Sequence, residues 1–471
     1  MPGNLLSKTR LRSGRGVVIV IALCLAASAA QASFEATRIP TKQLPDGTPG
    51  LGGGLRISRD VYIGQEREPD LVPLYLYEGK WLYSNGTAAG LHVYDNDRFF
   101  LNLGVRYRFN KLDPEDYGEI ADGIATRRQT LEGGFATGIR GRAGIIKAEW
   151  AYDLLGRHDG HQLDLTYRYP FRWGNFQISP FATFSWLDDN VANYYYGVSP
   201  EESQATGIEA YDVGGTENFS VGFNSFWQLT DHIFVFGNVG FETLNTDIQN
   251  SPLVEKGIDT TVYVGAGYFF GPVKNSTYVD PENAGKWSLR LNYGYTGDHN
   301  IVPEPMQGNL TGSQDIDTNI FGITVGKLLQ GGKRVSIYGK FALFRHLEEP
   351  YQDDFWNYTA YVMAIGKGYF PWSDKVAFRW GFGMGASFAQ SVPAIEQIKQ
   401  ANRDRNTSKF LNYLEWMVDF PIDTVIRSKL VRNCFAGVTV VHRSGIFSTS
   451  DILGDVAGGA DWYTAHIECL R

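Results

Sequence analysis

The sequence predicts an all-β protein: two antiparallel transmembrane β-barrels in tandem, the first of about 10–12 strands and the second of eight. Three observations carry this. Segments with large apolar residues at every second position recur along the chain. Aromatic residues make up 14% of it, and glycine occupies 54 positions. Beyond the N-terminus, no apolar stretch is long enough for a membrane-spanning helix.

The clearest strand is KVAFRWGFGMGASFA, residues 375–389. Phe378, Trp380, Phe382 and Met384 fall on one face, and Arg379, Gly381, Gly383 and Gly385 on the other. Such alternation suits lipid outside and a narrow lumen inside. A sandwich strand buried on one side alternates in the same way, but repetition argues for a barrel. WSLRLNYGY, NIFGITVGKLL, RVSIYGKFALF, YTAYVMAIGKGYF, KFLNYLEWMVDF, NCFAGVTVVH and DWYTAHIECL bring the set to eight between 286 and 470. Short turns such as 331–333 and 372–374 alternate with longer polar connections such as 391–406, as in barrels with tight periplasmic turns and long outer loops. RFFLNLGVRYRF, HQLDLTYRYPF, NFQISPFATFSWL, HIFVFGNVGFETL and TTVYVGAGYFF continue the pattern through residues 51–271. Residues 272–285 hold two prolines and no strand pattern and read as a linker. One large barrel is the alternative.

The N-terminus carries Lys8, Arg10, Arg12 and Arg15, then VVIVIALCLAA, then Ala30-Gln31-Ala32. This is a secretory signal over residues 1–32, with the mature chain starting near Ser33. Cys24 lies inside its apolar region. Cleavage removes four of the 43 basic residues and none of the 51 acidic ones, so the formal charge moves from −8 to −12. No basic stripe suited to phosphates is left, which argues against nucleic acid as a partner. Two mature cysteines, Cys434 and Cys469, fit an oxidising compartment.

The first barrel, residues 33–271, resembles the MipA/OmpV family of outer-membrane proteins over about residues 50–271. PLYLYEGKW, DRFFLNLGVRYRF, LLGRHDGHQLDLTY, NYYYGVSPEES followed by GIEAYDVGG, and SPLVEKG occur in order between about residues 50 and 271. The resemblance implies an outer-membrane barrel whose relatives include scaffolds for peptidoglycan-remodelling enzymes. Residues 286–471 are similar, by a shorter motif, to PagL-type lipid A deacylases, eight-stranded barrels that use a serine, a histidine and an acid. His442, Arg443 and Ser444 match that motif, whereas Gly445-Ile446-Phe447 stands where the family has an Asn-Ala-Gly turn. This resemblance implies outer-membrane lipid and lipopolysaccharide as partners.

Strand geometry gives the motif a second footing. Taking 433–444 as a strand, Cys434, Ala436, Val438, Val440, His442 and Ser444 share its apolar face. Asp461, Tyr463, Ala465, Ile467 and Cys469 share that of the last strand. If Cys434 sits opposite Cys469, where the two can be bridged, the ladder pairs Val438 with Ala465 and His442 with Asp461. A carboxylate can fix the imidazole tautomer while the other ring nitrogen takes a serine proton. Ser444 is then the candidate nucleophile, His442 the base and Asp461 the orienting acid, at the level of outer-leaflet lipid A. A polar interface where a strand meets its loop would also explain them, and the functional alternative is a non-catalytic structural protein or small-solute porin.

Other candidates are weaker. His158, Asp159 and His161 in GRHDGH have ligand chemistry but no third ligand nearby, and GTPGLGGG (47–54) lacks the Lys-Ser/Thr of a phosphate loop. No metal or cofactor is expected. The acidic, aromatic stretch 187–212 has no alternation and reads as an outer loop, solvated or plug-like, with no specific ligand.

Overall fold

The computed structural model describes residues 34–39, 47–58, 61–64, 69–112, 123–255, 257–270, 287–297, 312–313, 316–331, 335–370, 373–402, 406–424, 426, 428, 431–445, 450–454, 456 and 458–471. The signal read over 1–32 and the linker 272–285 lie outside the described residues. Thirteen strands precede that linker: β1 (Thr48–Ser58), β2 (Asp70–Glu78), β3 (Leu82–Asn85), β4 (Ala88–Asp95), β5 (Phe99–Arg108), β6 (Thr130–Gly141), β7 (Gly144–Asp153), β8 (His161–Arg168), β9 (Phe171–Trp173), β10 (Phe176–Leu187), β11 (Thr216–Gln228), β12 (Ile233–Thr243) and β13 (Ile258–Phe269). Eight follow it: β14 (Trp287–Thr296), β15 (Asn319–Gln330), β16 (Val335–Leu347), β17 (Phe355–Phe370), β18 (Ser373–Ala389), β19 (Phe410–Pro421), β20 (Cys434–Ser444) and β21 (Gly459–Leu470).

Two closed rings result. In the first, neighbours pair antiparallel, β1 pairs with β13, and β10 pairs with both β8 and β11. The three-residue β9 only extends the edge of β8 along β10, so the ring has twelve strands. β14 to β21 form the second ring, closed by β14 against β21. Closure leaves no unpaired edge for lipid to meet, which is what lets strands cross a membrane. The glycines of 50–54 belong to β1 itself, where a Cβ at Gly52 would collide with the Ala266 carbonyl of β13.

Side-chain parity follows the alternation. On β14, Leu289, Leu291 and Tyr293 are exposed outward, while Ser288, Arg290 and Asn292 are buried inward. Eight strands leave a lumen just wide enough for side chains, and here charged ones fill it. Arg290 lies 2.9 Å from Glu468, Lys340 2.6 Å from Glu468, and Arg379 2.6 Å from Asp419. Tyr413 donates to Glu415 at 2.7 Å, and His466 lies 3.1 Å from Asp419. The interior of the second barrel is thus filled by paired charges of both signs.

The stretch 187–212 is not irregular. It forms helices Asp189–Tyr196 and Pro200–Thr206. Asp188 caps the first by accepting from the Val191 amide, and Ser199 with Glu202 makes a capping box on the second. Tyr195 and Tyr196 are buried with Val61, Leu187, Leu244 and Leu253, so the aromatic run that read as loop composition is the packed apolar face of a short helix.

Candidate functional site

The site lies where β20 and β21 reach their connecting loop. The register pairs Cys434 with Cys469, Val438 with Ala465, Val440 with Tyr463 and His442 with Asp461. Val438 and Ile467, each 52% exposed, mark the outward face, and Thr439, Val441, Trp462 and Thr464 are buried inward. His442, Ser444 and Asp461 share the outward parity, but they are 0%, 7% and 1% exposed. The expected lipid-facing polar residues are therefore enclosed, which removes the cost of presenting them to hydrocarbon.

The hairpin narrows at this end because small residues permit it. The Gly445 amide donates to the Gly458 carbonyl at 3.0 Å, and a Cβ at Gly445 would collide with the Val456 carbonyl. Ser450, Leu453 and Val456 of the loop are buried. The Ile446-Phe447 part of the turn lies outside the described residues.

Within this frame His442 Nδ1 and Asp461 Oδ1 are 2.7 Å apart. That bond orients the imidazole and leaves Nε2 as the position for taking a proton. Nε2 is buried with no hydrogen-bond partner, so the serine–histidine bond of an assembled triad is not made. Ser444 is two residues along the same strand face, roughly 6.5 Å between Cα atoms at strand rise, and its hydroxyl must turn toward Nε2. Catalytic hydrogen bonds commonly tighten only with substrate present. The Trp416 ring lies 6.4 Å from the imidazole, and Asn412 of β19 faces Ser444 across the ladder. Nothing in the sequence pattern pointed to Asn412, because it becomes a neighbour only once β19 is paired.

Arg443 is on the opposite, lumenal face and is fully buried. Its guanidinium donates to the Lys409 carbonyl at 3.1 Å and lies 3.6 Å from Glu396. Glu396 belongs to a helix, Ala394–Ala401, inside a connection that read only as polar loop; Ile395 and Ile398 at helical spacing after Pro393 were its signal. Burial pushes the Glu396 carboxyl from 4.5 up to about 7, against the pull of Arg443 and His442. The folded state thus holds this proton more tightly than the unfolded state. The stability it brings is complete below about 4.5 and lost as the pH rises through about 7. Glu396→Gln should therefore match the native chain in urea titrations at pH 4.5 and be the more stable at pH 8; equal midpoints at both pH values would refute this.

At the other end of the hairpin Cys434 and Cys469 form a disulfide, with Cα atoms 4.0 Å apart and a sequence separation of 35. Closing a loop of that length is worth about 3–4 kcal/mol. Reduction, or Cys434→Ser, should lower the urea midpoint accordingly, and thiol labelling of the denatured, unreduced protein should detect no reactive cysteine at either position.

The other candidates separate. His158 accepts from the Gly160 amide at 3.0 Å and lies 3.5 Å from Glu132, whereas His161 pairs with Asp188 at 2.8 Å. The described residues hold no group of three or more metal-ligating side chains.

Comparison with known proteins agrees with the first barrel. Residues 51–270 match the family described as MltA-interacting protein MipA. The outer membrane protein YiaT of Escherichia coli (strain K12) is 24% identical over 221 residues, covering 47% of this chain and 90% of that protein. The outer membrane protein Omp26La of Vibrio anguillarum is 23% identical, covering 45% and 83%. The MltA-interacting protein of Escherichia coli (strain K12) is 22% identical, covering 48% and 91%. The second barrel lies outside the residues matched to the family. Residues 51–270 are thus a MipA-family domain, and the chain is an outer-membrane β-barrel protein.

Proposed function

We propose that the second barrel is an esterase that removes an acyl chain from lipid A. Ser444 is the nucleophile, His442 the base and Asp461 the acid that orients it. The observation that carries this reading is the His442–Asp461 hydrogen bond of 2.7 Å, with a buried, unpartnered Nε2 on the side of the ring left for the serine. A buried ring nitrogen left unsatisfied costs about 1–3 kcal/mol, and a hydroxyl two residues along the same strand face is the group placed to satisfy it. Long loops of outer-membrane barrels lie on the outer side, and on this reading the long-loop end of the second barrel meets the leaflet where lipopolysaccharide carries its ester-linked chains.

In the reaction, Ser444 attacks the ester carbonyl as His442 takes its proton. Collapse of the tetrahedral adduct expels the lipid A hydroxyl, which receives that proton. Water, activated by the same histidine, then releases the fatty acid and restores Ser444. Purified, folded protein in detergent tests this with lipid A: free fatty acid is expected, and its absence would remove the reading.

A second role belongs to the first barrel: binding a peptidoglycan-remodelling enzyme through the periplasmic end. It is supported by the MipA-family domain and by the relative named MltA-interacting protein. Capture of a membrane-bound lytic transglycosylase by residues 33–271 embedded in nanodiscs, and its failure with residues 286–471, would sustain it.

A further inference from the structure

The lumen of the first barrel is two-sided. The walls from β5 to β8 carry charge: Arg106 and Arg108 meet Glu132 at 2.7 and 2.6 Å, and Lys147 meets Glu149 at 2.9 Å. The opposite wall, from β1, β2 and β11 to β13, carries an apolar cluster, with Val72, Leu74, Phe226, Phe236 and Tyr263 buried, beside buried polar groups such as Asn224 and Asn238. Between them sits a piece of chain belonging to neither wall, residues 34–39, whose Phe34–Thr37 form a 3-10 turn.

Phe34, Glu35, Arg38 and Ile39 each find a complement on the walls. Glu35 points at Lys147, 2.8 Å away, and at Arg168. Arg38 meets Glu149 at 2.7 Å. The Phe34 ring lies 3.7 Å beneath the Arg106 guanidinium, a cation–π arrangement. Ile39 is buried in the apolar cluster with Leu74 and Tyr263.

The segment's backbone is held as well. Asn224 donates to the carbonyls of Glu35 and Arg38 at 2.8 and 2.7 Å, Asn238 to that of Arg38 at 2.9 Å, and Thr87 to that of Thr37 at 3.1 Å. Buried asparagines on two neighbouring strands aimed at one peptide backbone are a recognition device. They face each other across the β11–β12 ladder, and their side-chain amides donate to the segment. The segment is not merely space-filling, since a cavity of about 240 Å³ remains beside it, bordered by Arg38, Ile39, Lys147 and Glu149.

From this we infer that the lumen of the first barrel is a binding site for a short peptide of the pattern aromatic-acid-x-x-base-aliphatic, filled in this chain by its own residues 34–39. The acid and base are matched by wall charges of opposite sign, so the site selects both composition and direction. Occupancy by the chain itself makes the segment an internal ligand that any competing peptide of the same pattern must displace.

The test lets the intact chain fold first. A protease site placed between residues 40 and 47 is cut after folding in detergent, and retention of the released N-terminal peptide is followed by gel filtration. A labelled peptide of residues 33–39 is then added in excess. The inference expects the cut peptide to stay bound, to exchange for the labelled one at one per barrel, and to leave about 30-fold faster when it carries Glu35→Gln, the lower range for unpairing a buried charge. Immediate loss of the native peptide, or equal retention of the Glu35→Gln peptide, would overturn it. Independently of that cut, Thr37→Cys with Thr87→Cys should cross-link within the folded chain, because the two hydroxyl oxygens are 3.4 Å apart. Failure to cross-link in folded protein would overturn the placement itself.

Discussion

Ser444→Ala is expected to reduce fatty-acid release from lipid A by more than about 10³-fold while the barrel still folds, since a serine nucleophile leaves no substitute when its hydroxyl is removed. His442→Asn should lose nearly as much, because the base and the serine act as one unit. Asp461→Asn should retain roughly 10- to 100-fold more activity than Ser444→Ala, since the acid orients the imidazole and does not react. Val438→Ala, outward-facing on the same strand, should leave the chemistry unchanged and serves as the control. Arg443 cannot fill that role. Its buried guanidinium ties the strand to the Lys409 carbonyl and to the Glu396 helix, so Arg443→Gln perturbs the frame of the site. Equal activity of Ser444→Ala and native protein would exclude the proposed nucleophile.

Arg290→Ala is expected to destabilise the second barrel by about 3–5 kcal/mol, the range for removing one partner of a buried ion pair. Arg290 is fully buried and placed between Glu415 and Glu468. Without it Glu468 keeps Lys340 and Arg379, but Glu415 loses its direct cationic partner and keeps neutral hydroxyl contacts such as that from Tyr413. The cost arises from a carboxylate left in a closed lumen that water reaches poorly. Leu289→Ala, one residue away and outward-facing, exchanges one lipid contact for a smaller one and should cost far less. Urea unfolding followed by tryptophan fluorescence separates them; equal midpoints would mean that the charges do not hold the barrel together.

How much of this was legible in the sequence depended on which physical rule applied. The ring of eight was readable because lipid on one side and packed side chains on the other force a two-residue period, seen on β18 from Phe378 to Phe388. The β20–β21 register was readable because the cysteines fixed a starting point, and every apolar pair it generated then fell on one face, from Val438–Ala465 to Val440–Tyr463. That brought His442 to Asp461 without any family motif.

The enclosure of the site was not readable. Alternation says which face a residue takes, but not that Ser450, Leu453 and Val456 will fold down beside it. The helices of 189–206 and 394–401 were missed for a related reason: short amphipathic turns among Gly, Pro, Ser and Asn look like loop until the surface they cover is known. Residues 34–39 are the extreme case. Six residues carry no periodicity, and the meaning of Glu35 and Arg38 emerges only when Lys147, Arg168 and Glu149 are arranged around them.

The claim that this outer-membrane protein works on lipid A is tested most directly by mass spectrometry of lipid A from cells lacking the protein, cells carrying the native chain and cells carrying Ser444→Ala. The account predicts a species lighter by one fatty acyl group in cells with the native chain, absent from the other two. Identical lipid A in all three, with the native chain folded in the outer membrane, would contradict it.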